Sequence, residues 1–168
     1  KQLSAEGYRI NHTGNQVTIT SPTDQGLLYA AYHLIRLQQT QEWDKTTLPI
    51  VENPVFPIRI LNHWDNLDGT IERGYAGKSL WNWEELPAIL SPRYETYARA
   101  NASIGINGTV LNNVNASPQI LSAPYLQKVK SLADAFRPYG IKVYLSVNFA
   151  SPMVLDSLET ADPLNKEV

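Results

Sequence analysis

Three short apolar runs, each closing in polar or aromatic residues, constrain this chain more than any other feature of its sequence. "IRILNHW" begins at Ile58, "INGTVLNNV" at Ile106 and "IKVYLSVNF" at Ile141. Helical patterns separate them. Between the first and second runs, Ser91 and Pro92 suit a helix start, and Tyr94, Tyr97, Ala98 and Ile104 are candidates for its buried face. Between the second and third, Leu126, Val129, Leu132, Ala133 and Phe136 recur at helical spacing, with Gly140 as a C-terminal stop. Strand, helix, strand, helix, strand is the order a parallel sheet requires, because parallel neighbours must be joined by a crossover.

Doubly wound sheets and (β/α)8 barrels both fit that alternation. The run ends favour the barrel. His63-Trp64-Asp65-Asn66, Asn112-Asn113-Val114-Asn115 and Asn148-Phe149 close the three runs, and in a barrel all C-terminal strand ends converge on one site. No Gly-x-Gly-x-x-Gly turn follows any run, so a dinucleotide fold lacks its main sequence support. A complete barrel takes about 250 residues, and only three of its units fit after Ile58. The expected architecture is therefore α/β: the first three strands of a truncated TIM barrel, within a piece of a longer protein.

Upstream, "GYRINHTGNQVTIT" alternates apolar and polar residues about Gly14-Asn15, the pattern of a hairpin. A helix follows, with Ser21 expected as N-cap, Pro22 at its first position, and an apolar face of Leu27, Leu28, Ala31, Leu34 and Ile35. Pro49, Pro54 and Pro57 then interrupt helical continuation. These signals divide the chain into residues 1–48, the end of a small N-terminal α/β domain, a linker over 49–57, and the start of the barrel over 58–168.

The composition, 43% hydrophobic and 18% charged, is that of a soluble globular protein able to bury a core. A net charge of -2 without any Lys/Arg block argues against nucleic acid as a partner. No apolar run is long enough to cross a bilayer, so no membrane partner is expected, and nothing in the sequence assigns a compartment. The chain has no cysteine, and His12, His33 and His63 follow no metal-ligand spacing, so no metal and no cofactor is expected. Sequons begin at Asn11, Asn101, Asn107 and Asn115; Asn107 falls in an apolar run, and chance matches are the preferred reading.

The long connection after the first run carries the candidate site. Long ordered loops usually have a binding or catalytic task. This one gathers Trp64, Tyr75, Trp81 and Trp83, which are unfavourable to leave in water, with Gly69, Gly74 and Gly77 to permit tight turns. Indoles stack on the apolar faces of sugar rings, while Asn, Asp, Glu and Arg reach hydroxyls, so carbohydrate is the ligand this mixture serves best. Arg73 offers a planar fork for a carboxylate, or a bracing pair with Glu72 or Asp65. Glu72 beside an arginine is held ionised, the wrong direction for a general acid, which leaves it binding or bracing. Asn113 and Asn148 are either site groups or local turn formers, and Val114 offers an apolar wall.

"NHWDNLDGTIERGYAGKSLW", "INGTVLNNVNA" and "YGIKVYLSVNFASP" together resemble the α-glucuronidases of glycoside hydrolase family 67. "EGYRI" and "VTITSPTDQGLLYAAYHLIRL" resemble the end of that family's N-terminal domain. The resemblance implies an enzyme that releases (4-O-methyl-)glucuronic acid from its α-1,2 link to xylose in xylan oligosaccharides, by inversion and without a metal. The expected ligands are glucuronic-acid-substituted xylo-oligosaccharides, and a homodimer is one assembly it allows. The catalytic carboxylates are expected on later strands, so no catalytic residue is assigned here. The resemblance makes Trp64 the stacking platform, Glu72 and Arg73 uronate-pocket groups and Val114 part of the lining, with Asn113 and Asn148 as extensions from strand-end geometry. A non-catalytic carbohydrate-binding or interaction module is the alternative.

Overall fold

Residues 2–166 are described by the structure, a computed structural model; Lys1, Glu167 and Val168, at the outer ends of the two expected domains, lie outside the described residues. The hairpin forms as β1 (Tyr8–Thr13) and β2 (Gln16–Thr20), antiparallel, with Ile10 opposite Ile19 and Thr13 opposite Gln16. β3 (Ile50–Glu52) pairs antiparallel with the other edge of β1, giving the order β2-β1-β3. Three residues of the expected linker are thus a strand, a pairing that the proline spacing does not encode.

Helix α1 (Asp24–Gln39) covers this sheet, burying Tyr29, Ala30 and Leu37 against Tyr8, Ile10 and Ile50. Its N-cap is Thr23, whose hydroxyl oxygen accepts from Gly26 N–H, and not Ser21, whose hydroxyl donates to the Gly7 carbonyl at 2.6 Å. Gly26 sits where helix and strand touch: an added Cβ would lie 2.7 Å from the Gly7 oxygen. The expected apolar face is displaced in turn, since Leu27 and Ile35 are exposed. The helix packs on two sides, with Leu28 and Tyr32 against the second core, so no single stripe describes it.

The three apolar runs form β4 (Ile60–Asn62), β5 (Gly108–Val110) and β6 (Lys142–Tyr144), a parallel sheet of order β4-β5-β6 with Ile60, Gly108 and Lys142 in register. Crossovers α2 (Pro92–Ser103) and α3 (Ala123–Phe136) cover one face, and a short α4 (Ser151–Leu155) follows β6. Ser91 caps α2 by accepting from Arg93 N–H, and Gly140 closes the turn after α3 at φ 67°. Tyr94, Ala98 and Ala102 of α2 join Leu132 and Phe136 of α3, Leu111 and Ile141 in the core. Ile104 is 70% exposed, because the buried stripe ends at Ala102 and Ile104 lies past the last turn. Leu126, on the first turns of α3, is exposed as well. Truncating Phe136 to Ala would cost about 3–5 kcal/mol, the usual figure for a fully buried aromatic.

The opposite face of this sheet carries Ile60, Asn62, Gly108, Lys142 and Tyr144 and has no covering helix among the described residues. Gly108 is required there, because an added Cβ would fall 2.3 Å from Ile60 Cγ2 and 2.8 Å from Tyr144 Cε2. Arg59 joins the two layers. Its guanidinium donates to Gly105 and Phe56 carbonyls at 2.6 and 2.7 Å and pairs with Glu6 at 2.6 Å. Asn107 completes the junction, its Oδ1 accepting from Arg59 N–H and its Nδ2 donating to Glu6 and the Pro57 carbonyl. A glycan on this buried amide would leave Nδ2 a single hydrogen for its two acceptors.

Candidate functional site

Because β4, β5 and β6 are parallel, their C-terminal ends share one edge, and two adjacent asparagines bind that edge together. Asn112 Nδ2 donates to the Ser146 carbonyl at 2.9 Å and its Oδ1 accepts from Ser146 N–H at 3.1 Å. The side-chain amide thereby acts as one more peptide group, extending the β5–β6 pairing past Tyr144. Asn113 works towards β4: its Nδ2 donates to the Trp64 carbonyl at 3.2 Å and to Asn66 Oδ1, its Oδ1 accepts from Asn115 N–H, and its own N–H donates to the Asp65 carbonyl. Both side chains are buried.

The loop after β4 is built around Asp65. This carboxylate is 2% exposed; its Oδ2 accepts from Ser79 Oγ at 2.5 Å and from Leu80 N–H at 3.1 Å, closing the loop onto its own start. Glu72 N–H donates to the Trp64 carbonyl at 2.8 Å, and Asn66 Nδ2 donates to Thr70 Oγ1 and the Glu72 carbonyl. Glu72 itself takes φ 58°, a left-handed conformation that this bonding holds in place. Under the loop, His63 Nε2 and the Tyr97 hydroxyl are 2.7 Å apart, and that hydroxyl also bonds Thr109 Oγ1. Burial lowers the His63 pKa, with Asp65 pulling partly back, and burial raises that of Tyr97, so both are held neutral.

The loop's aromatic residues divide. Trp81 and Trp83 are core residues, Trp81 donating from Nε1 to the Leu111 carbonyl at 3.0 Å while edging His63 and Tyr97. Neither ring presents an exposed stacking face, although both border the cavity of residues 67–84. Trp64 is 43% exposed and Tyr75 75%. Alternation beyond β4 accounts for Trp64 alone: His63 and Asp65 turn towards the core and Trp64 away from it. Asp65 was recoverable from the sequence by that count, although its bonding to residues 14 and 15 positions later was not.

Of the six candidate binding residues, the structure brings Trp64, Glu72 and Val114 to one edge through the Asn113 bonds. Val114 is 44% exposed beside them. Arg73 is exposed and forms neither the Glu72 nor the Asp65 ion pair; its guanidinium has no partner among the described residues. Asn113 is committed to bracing by the bonds given above. Asn148 accepts from Ala150 N–H at Oδ1, and its carbonyl accepts from Ser151 N–H, so it forms the turn into α4.

Residues 36–168 match the glycosyl hydrolase family 67 middle domain. Similar curated proteins include an alpha-glucuronidase A of Emericella nidulans (41% identical), a probable alpha-glucuronidase A of Neosartorya fischeri (40%) and an alpha-glucuronidase of Hypocrea jecorina (40%), each over 99% of this chain. The chain spans about a fifth of the length of these relatives, 20% in each case. Among solved structures, a beta-N-acetylhexosaminidase shares the fold over 85% of this chain and 33% of its own, with a TM-score of 0.52 at 16% identity. A match running through both crossovers and the loop that Asp65 closes leaves one assignment: the chain belongs to glycosyl hydrolase family 67.

Proposed function

We propose that the protein to which this chain belongs is an α-glucuronidase, hydrolysing the α-1,2 link between (4-O-methyl-)glucuronic acid and xylose in xylo-oligosaccharides, and that this segment supplies part of the substrate cradle. The observation that carries the reading is that one loop bears both a half-exposed Trp64 indole and an Arg73 guanidinium without a partner among the described residues. An indole face suits a pyranose ring, and a planar cation suits its carboxylate. In this reading Glu72 and Val114 line the pocket, Asn113 and Asn148 hold its edge, residues 58–168 begin a (β/α)8 barrel, and residues 1–48 form the preceding domain with 49–57 as the connection. The uncovered sheet face and the unpaired outer edges of β4 and β6 suit a sheet that continues.

Chemistry by inversion needs two carboxyl groups with room for a water between them. One protonates the glycosidic oxygen as the bond from the anomeric carbon to that oxygen breaks. The other takes a proton from the water that attacks the same carbon from the opposite side, giving the free uronic acid and a xylose hydroxyl. In this reading both carboxyl groups come from later strands of the barrel, and Glu72 binds or braces. The test is Trp64→Ala in the complete protein, assayed on aldouronic acids: a fall in kcat/KM of about 10- to 100-fold is expected, or about 1.4–2.8 kcal/mol of lost transition-state binding. Unchanged turnover removes Trp64 from the cradle.

A further inference from the structure

The loop 67–84 encloses a cavity of about 610 Å3, lined among others by Asp68, Tyr75, Lys78, Asn82, Trp83 and Glu84. That volume lies within the range of about 300–1,000 Å3 typical of small-molecule sites. None of the six cradle residues lines it. Trp83 is 3% exposed, and its Nε1 is the one buried side-chain donor without a hydrogen-bond partner among the described residues. Such groups are rare in native proteins, because an unmade bond at a buried donor is unfavourable by about 1–3 kcal/mol. Trp81 shows the alternative in the same core, its indole N–H satisfied by the Leu111 carbonyl.

The remaining lining has the character of a sugar site. Tyr75 presents a ring that is 75% exposed and makes no hydrogen bond or aromatic ring contact among the described residues. Lys78 and Glu84 form no ion pair among the described residues, which leaves donors and acceptors of both signs lining the space. A lining of one lysine and two carboxylates suits a ligand that is neutral and rich in hydroxyls better than an anion. Tyr75 and Ala76 hydrogen-bond to nothing among the described residues, and Gly74 and Gly77, at φ 92° and 109°, flank them. Trp83 and the arch line the same cavity, so access of a hydroxyl oxygen to the buried Trp83 N–H requires the arch or the ring to move.

We propose that this cavity is a binding site for a neutral pyranose, taken from the xylose units of the oligosaccharide, with Tyr75 as its stacking face and Trp83 Nε1 as a buried donor to a sugar hydroxyl. The substrate class rests on the functional reading above, whereas the site rests on the cavity and its orphaned donor. The probe is xylotetraose, which carries no uronate, titrated calorimetrically into the complete protein and into Tyr75→Ala and Trp83→Phe variants. Xylotetraose is expected to bind the parent protein, and each variant to weaken binding about tenfold, equivalent to about 1.4 kcal/mol. Absence of binding to the parent, or equal affinity in the variants, overturns the proposal. Should Trp83→Phe lose its folded circular dichroism, the exposed Tyr75 decides alone. Turnover of aldouronic acid by the parent is measured in parallel: turnover without xylotetraose binding refutes this site and leaves the enzyme reading standing, and binding lost in the variants without turnover does the reverse.

Discussion

Replacing Asn113 should loosen the loop that carries Trp64 while leaving the N-terminal layer untouched. In Asn113→Ala three bonds disappear: those from Nδ2 to the Trp64 carbonyl and to Asn66 Oδ1, and that from Asn115 N–H to Oδ1. The Trp64 carbonyl keeps Glu72 N–H, and Asn115 is exposed and can turn to water, so only Asn66 Oδ1 loses a partner in a half-buried place. At about 1 kcal/mol for each neutral bond, the loss is about 2–3 kcal/mol. Hydrogen exchange in the complete protein reads this locally. The Glu72 and Leu80 amides should exchange roughly 25- to 150-fold faster, at about 1.4 kcal/mol per tenfold, with the β1–β2 amides unchanged. Asn113→Asp sharpens the test, because it keeps the acceptor for Asn115 N–H but turns a carboxylate towards two oxygens, and should be the more damaging. Equal protection of these loop amides in the parent and Asn113→Ala, or an Asp variant milder than Ala, would refute the clasp.

Two further outcomes follow from half-buried polar groups. Arg59→Lys keeps the charge but cannot reach the Gly105 and Phe56 carbonyls and Glu6 together; a loss of about 2–4 kcal/mol is expected from bonds to a charged group, read as faster limited proteolysis around residues 53–58, and unchanged cleavage would sink it. Burial holds His63 below the ordinary histidine pKa of about 6.5, so the unfolded chain takes up the proton first as pH falls. The stability that depends on neutral His63 is therefore full above about pH 7 and declines from about 6.5 downward. Thermal melts from pH 7.5 to 5 should fall less steeply in His63→Gln, and parallel slopes would count against the assignment.

What the sequence disclosed and what it concealed follow from the range of the interactions. Ser91, Pro92 and Gly140 act within a turn of their own helices, so the ends of α2 and α3 could be read directly. The parallel order followed from alternation alone. Trp81 and Trp83 could not be read as core, because their burial depends on Leu111 and Tyr125, far along the chain. The α1 stripe misled for the same reason: Tyr29 and Ala30 face one sheet while Leu28 and Tyr32 face the other core, and a single amphipathic count cannot describe a helix wedged between two layers. The asparagine pair was visible as a pair, yet its two readings, site group or turn former, are separated only by which backbone atoms lie across from each amide.

That pair also explains how a loop without regular structure can hold a rigid aromatic platform. Asn112 and Asn113 are consecutive, so their side chains leave the end of β5 in opposite directions, one to Ser146 beyond β6 and one to Trp64 beyond β4. One dipeptide therefore fixes three strand ends relative to one another, and Val114 inherits its position from its neighbour. The long loop contributes the complementary half: Asp65, on the covered side, ties residues 79 and 80 back to the strand, which leaves Trp64, one residue earlier, on the open side with its backbone pinned by both Glu72 and Asn113. In the proposed cradle, an indole on a fixed backbone has only its side-chain torsions left to order on meeting a ligand, and this economy of entropy is what the strand-end edge would offer recognition.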